Sequence, residues 1–110
     1  MSLEGSLETT VTDDAVEFTY TVTNAGDSRV ELTFKDAGKA DVAVFDGDDE
    51  HWRFSDGRMF AQMLSEEALA PGGQMDFQFT WEGPEPGSYT AAAELRCLNQ
   101  TCETETEFSV

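Results

Sequence analysis

Two cysteines, Cys97 and Cys102, bracket the tetrapeptide Leu98-Asn99-Gln100-Thr101. If that tetrapeptide is a hairpin loop, the two side chains face each other on adjacent strands, and a disulfide is sterically allowed. A reducing cytoplasm would keep both as thiols, so bridge and free thiols both stay open. A bridge across so short a loop would stabilise little in either case. Two cysteines and the lone histidine, His51, do not complete a structural zinc site without carboxylates. Asn99-Gln100-Thr101 has the form of a glycosylation sequon, which matters only in an exported protein. The acidic run Asp46-Gly47-Asp48-Asp49-Glu50 resembles a calcium loop at first sight. An EF-hand needs glycine at its sixth position and a distant bidentate glutamate. Neither is in place, and Asp46-Gly47 reads better as an acidic hairpin turn. His51 stands four residues before Ser55, but a general base needs an orienting partner and a nucleophile held in geometry. There is no G-x-S-x-G elbow, phosphate loop or H-E-x-x-H. These residues argue against an enzyme and call for no metal and no cofactor.

The elements that must position any binding site are strands. Period-two alternation runs through Val16, Phe18, Tyr20 and Val22, then through Val30, Leu32 and Phe34. It recurs in Ala40–Asp46, in Glu50–Phe54, through Met75, Phe77, Phe79 and Trp81, and through Tyr89, Ala91, Ala93 and Leu95. Weaker candidates lie at residues 5–11 and 102–110. Turn-forming residues punctuate these runs. Seven to eight short strands in 110 residues predict an all-β, immunoglobulin-like antiparallel β-sandwich, with a small closed barrel as the alternative. No crossover helix long enough for a parallel sheet lies between the strands. Residues 60–69 have room for a turn or two of helix. Tyr89, just after Pro86-Gly87, has the place of a tyrosine corner, and Trp81 that of a core residue. The length suits one domain, residues 1–110, without internal repeat or linker.

Charge limits the partners. Asp and Glu number 23 against six Lys and Arg, a formal net charge of −17 spread along the whole chain. Nucleic acid is disfavoured by sign. Such a surface repels itself in dilute buffer and is characteristic of salt adaptation; at molar salt the screening length falls to about 3 Å. No apolar run approaches the roughly 18 residues of a membrane span, and the N-terminus has no basic start or apolar stretch of a secretory signal. The expected location is cytoplasmic, with no membrane partner.

One segment fits this pattern poorly. Residues 51–64, HWRFSDGRMFAQML, crowd Trp52, Phe54, Met59, Phe60, Met63 and Leu64 around a Ser55-Asp56-Gly57 break. Because large exposed apolar patches are rare on soluble monomers, the favoured expectation is a lid. Trp52 and Phe54 anchor it at the end of a strand, and Met59, Phe60, Met63 and Leu64 cap the open end of the sandwich. The competing expectation turns the chain outward at Ser55–Arg58 and offers Met59 or Phe60 to a partner.

The order of these pieces resembles the BsuPI family of intracellular proteinase inhibitors over residues 16–95. Its most specific part is Trp52 and Ser55, then Met59-Phe60 and Gln62, followed by the Pro71-Gly72 turn. The resemblance implies an immunoglobulin-like sandwich, here an acidic member. By the family's founding member it implies an inhibitor of an intracellular subtilisin-type serine protease. The resemblance assigns no inhibitory residues; on the outward-turning reading of residues 51–64, Arg58, Met59, Phe60 and Gln62 are the candidate partner-binding residues. Because fold does not fix function, a non-inhibitory protein-interaction module on the same sandwich is the alternative, and a structural, solubilising domain a third reading.

Overall fold

The computed structural model describes residues 3–110, which form nine strands and no helix. In chain order these are β1 (Leu3–Val11), β2 (Ala15–Asn24), β3 (Val30–Phe34), β4 (Ala40–Asp46), β5 (Asp49–Arg53), β6 (Ser65–Leu69), β7 (Gln74–Glu82), β8 (Ser88–Leu95) and β9 (Glu103–Ser109). All pairings are antiparallel. One sheet has the order β1-β2-β7, the other β5-β4-β8-β9, and β3 pairs with β6 as a separate ribbon. This is the expected immunoglobulin-like sandwich.

Alternation explains why the sheets close on each other. Val16, Phe18, Tyr20 and Val22 of β2 are essentially inaccessible, as are Val42 and Val44 of β4 and Ala91 of β8. Phe18 meets Phe108 edge-on across the sandwich, and Trp81 meets Tyr89 the same way. The ribbon adds Leu32, Phe34 and Leu69 to the same core. Tyr89 forms the expected corner, its hydroxyl donating to the Glu85 carbonyl at 2.7 Å. The hairpin from β4 to β5 turns at Gly47-Asp48, with Asp46 opposite Asp49.

Two expectations need correction. The residues read as a turn of helix include a strand, β6, which raises the count to nine. Glu66 and Ala68 alternate with half-buried or buried neighbours, and Leu69 pairs with Val30; the ladder to β3 overrides the helical propensity of a five-residue stretch. The cysteines do not face each other across their loop, and of the two states left open it is the free thiols that occur. Leu95, not Cys97, stands opposite Cys102, its amide donating to the Cys102 carbonyl at 2.9 Å. Cys97 therefore lies beyond the ladder, where its thiol contacts the Asn99 amide oxygen. Asn99 itself bonds the Thr33 amide and the Glu31 carbonyl, tying this loop to the edge of β3. Cys102 is buried near Tyr20, whose hydroxyl donates to the Cys102 carbonyl and whose pKa is pushed up mainly by burial. Adding reductant should therefore leave the melting temperature unchanged. Replacing both cysteines by serine should shift stability by less than about 2 kcal/mol in urea unfolding; a larger loss would show that the Cys102 thiol matters to the core.

The outward faces carry the acids. Glu103, Glu105 and Glu107 are exposed along β9, and Glu103 stands directly opposite Glu94 of β8. Like charges so placed destabilise a ladder. The melting temperature should climb steeply from dilute buffer to molar KCl as this repulsion is screened. A flat profile in calorimetry would refute the salt-adapted reading.

Candidate functional site

The site grows out of β5. Strand parity sends Trp52 and Phe54 to the inner face and Arg53 and Ser55 to the outer one. Trp52 stacks on Phe18 and Trp81, and Phe54 meets Phe79 edge-on at 4.7 Å. These two half-buried aromatics link β5 to β7 along one open side of the sandwich. The Phe54 amide continues the ladder, donating to the Val42 carbonyl.

On the outer side Asp41 of β4 is 3% exposed. Its carboxylate accepts four hydrogen bonds: from its neighbour's amide at Val42, from the Arg53 guanidinium at 3.1 Å, and from the amide and hydroxyl of Ser55 at 3.1 and 2.7 Å. A buried carboxylate is tolerated where its lone pairs are filled in this way. Arg53 is further held by Glu50 at 2.7 Å; these carboxylates, Glu50 foremost, raise its already high pKa. Asp41 thus fixes the residue at which the chain leaves the sheet.

From Ser55 the chain turns, with the Arg58 amide donating to the Ser55 carbonyl at 3.1 Å. Gly57 takes φ of +75°, which a side chain would strain. Arg58 then folds back over the Phe54 ring, 4.1 Å from its centroid, while its Nε donates to the Phe54 carbonyl at 2.8 Å. From Arg58 to Leu64 the chain has no regular secondary structure. Phe60 is half-buried under the Arg96 guanidinium, 5.4 Å from the ring centroid. Arg96 in turn donates to the Gly38 carbonyl at 2.9 Å and pairs with Asp36. A Cβ at Gly38 would come within 2.8 Å of the Phe60 ring and would collide with Arg96, so only glycine lets all three meet. The Ala37 amide donates to the Ala61 carbonyl at 2.9 Å, pinning the next residue.

Met59, between these two attachments, is 99% exposed. Gln62 is exposed, and Met63 and Leu64 are 62% and 70% exposed. The lid expectation therefore fails for Met59, Met63 and Leu64. Trp52 and Phe54 already fill the seam they were expected to cover, and of the four only Phe60 reaches inward. Three of the chain's four arginines, Arg53, Arg58 and Arg96, hold this one segment. Beside it lies an open groove of about 450 Å³, floored by Trp52, Phe54 and Phe79 and edged by Arg58, Gln78 and Glu82. His51 packs its ring against Trp81 and Tyr89 and does not approach Ser55 as a base would; Ser55 is bonded to Asp41 instead.

Sequence reasoning missed Asp41, Gly38 and Arg96. Asp41 had a weak signal, a single carboxylate inside an otherwise apolar strand. Gly38 and Arg96 had none, since they meet Phe60 only through folding of distant segments.

Fold and site together define an immunoglobulin-like sandwich that carries a braced, solvent-exposed apolar loop. The chain belongs to the BsuPI family, described as intracellular proteinase inhibitor, whose model matches residues 3–100. No curated protein matches it. Among solved structures, the sporulation control protein Spo0M from Bacillus subtilis is similar at a TM-score of 0.59 and 14% identity. The match covers 100% of this chain and 49% of that one, so this chain spans about half the length of Spo0M. Bacteroides uniformis β-glucuronidase 2 is similar at a TM-score of 0.52 and 10% identity, over 98% of this chain but 14% of that one. At these identities the likeness concerns the fold alone.

Proposed function

We propose that the chain inhibits a subtilisin-type serine protease by presenting the Arg58–Leu64 loop to the protease cleft, with Met59 entering the pocket for the residue before the scissile bond. The observation that carries this reading is a methionine that is 99% exposed yet flanked on both sides by anchored residues. An exposed large apolar group is costly in water unless a partner covers it, and a loop already held in place loses less freedom on binding. A segment free of its own sheet can pair its backbone with an extended cleft. Membership of the proteinase inhibitor family supplies the partner class. Arg58 and Gln62 flank the apolar tip and would contact the cleft rim, with Phe60 serving from beneath.

The test is a titration of a subtilisin-type protease, following residual activity on a chromogenic peptide in high salt. Activity should fall linearly to near zero at about one equivalent, as for protease–inhibitor pairs, which are among the tightest complexes known. Full activity at large excess, across several such enzymes, would remove the inhibitory reading and leave the interaction module.

A further inference from the structure

We infer that Met59–Phe60 is the reactive bond and that the Arg96–Gly38 clamp on Phe60 is what keeps the loop from being consumed as a substrate; this rests on the inhibitory reading above. The protease serine passes its hydroxyl proton to the protease histidine as its Oγ adds to the Met59 carbonyl carbon. Collapse of the adduct breaks the C–N bond to Phe60, whose nitrogen takes a proton from the protease histidine. The products are a Met59 acyl ester and a free Phe60 amine. With an ordinary substrate that amine departs and water hydrolyses the ester.

Here the amine has nowhere to go. The Phe60 ring is held between Gly38 and the Arg96 guanidinium, and the Ala61 carbonyl is bonded by the Ala37 amide at 2.9 Å. On the acyl side Arg58 is bound to Phe54 by its Nε and by stacking. Both ends of a cut loop therefore stay attached to the same rigid sandwich. The Phe60 amine attacks the ester, returns its proton to the histidine and restores the peptide bond as the serine leaves and takes that proton back. Holding two reacting groups together gives effective concentrations far above those of free solutes, so resealing outruns hydrolysis.

Arg96 is thus a positioning residue, acting through Phe60. The experiment incubates the full chain with catalytic amounts of an inhibited subtilisin-type protease and follows inhibition and fragment masses over hours. The native chain should stay largely intact. Arg96→Ala should bind initially with similar affinity but lose inhibition about 100-fold faster, as expected when a reacting group is misplaced by an ångström or so. Its cut should fall between Met59 and Phe60, giving fragments 1–59 and 60–110. Arg96→Lys, which keeps a cation over the ring, should recover part of the durability. If Arg96→Ala fails to fold by circular dichroism, Gly38→Ala displaces the same clamp and takes its place. Arg96→Ala as durable as the native chain, or cut elsewhere, would overturn the clamp while leaving inhibition standing. A native chain that does not inhibit would overturn both.

Discussion

Met59→Glu should weaken inhibition of a susceptible protease by about 100-fold or more, the scale of a central interface residue worth roughly 3 kcal/mol, with no change in melting temperature. Binding and folding separate here because the Met59 side chain is 99% exposed and is absent from the contacts that hold the loop. A carboxylate in an apolar pocket adds a desolvation cost to the lost contact, so glutamate should be worse than alanine. Met59→Leu, close in volume and polarity, should inhibit nearly as well as the native chain. Steady-state inhibition constants for the three variants, beside their thermal melts, check this. Equal inhibition by Met59→Glu and the native chain would place the contact surface elsewhere.

Asp41→Ala should be the most damaging single change outside the apolar core, costing about 3 kcal/mol in urea unfolding. Removing one partner of a buried ion pair costs about 3–5 kcal/mol because the others are left unpaired. The lower end applies because Arg53 is partly exposed and keeps Glu50 at 2.7 Å. The Ser55 amide has no such second partner among the described residues. Loss of Asp41 should also release Ser55, where the loop begins, and so weaken inhibition more than stability alone accounts for. Asp41→Asn retains an acceptor oxygen for the amides and should fall between the two. A cost below about 1 kcal/mol for alanine would mean that water replaces the carboxylate.

Most strands of this sandwich were legible because they are half-buried, so core and solvent faces alternate directly in the sequence; β4, buried on both faces from Ala40 to Val44, is an exception. Val16 to Val22 and Tyr89 to Leu95 could hardly be anything else. β6 was not legible: five residues, Ser-Glu-Glu-Ala-Leu, suit a helix as well as a strand, and only the ladder to β3 decides. The cysteines misled through loop length, since the connection is longer than the four residues between them and Leu95 rather than Cys97 closes the β8–β9 ladder at Cys102. The apolar content of residues 52–64 was plain, but its division was not. Which side chains go inward depends on how much of the seam Trp52 and Phe54 fill, and volume is a property of the assembled core. The braces were invisible for a similar reason. Phe60 and Arg96 are 36 positions apart in the chain, and nothing local marks Gly38 as the point where they meet.

The most direct measurement is hydrogen–deuterium exchange of the chain alone and bound to a protease whose nucleophilic serine has been replaced by alanine, so that no cleavage intervenes. Protection should concentrate in peptides covering residues 58–64 and in the adjoining groove at Trp52, Phe54 and Phe79, with the β1 and β9 edges unchanged. Protection confined to those edges, with 58–64 exchanging as freely as in the unbound chain, would contradict it.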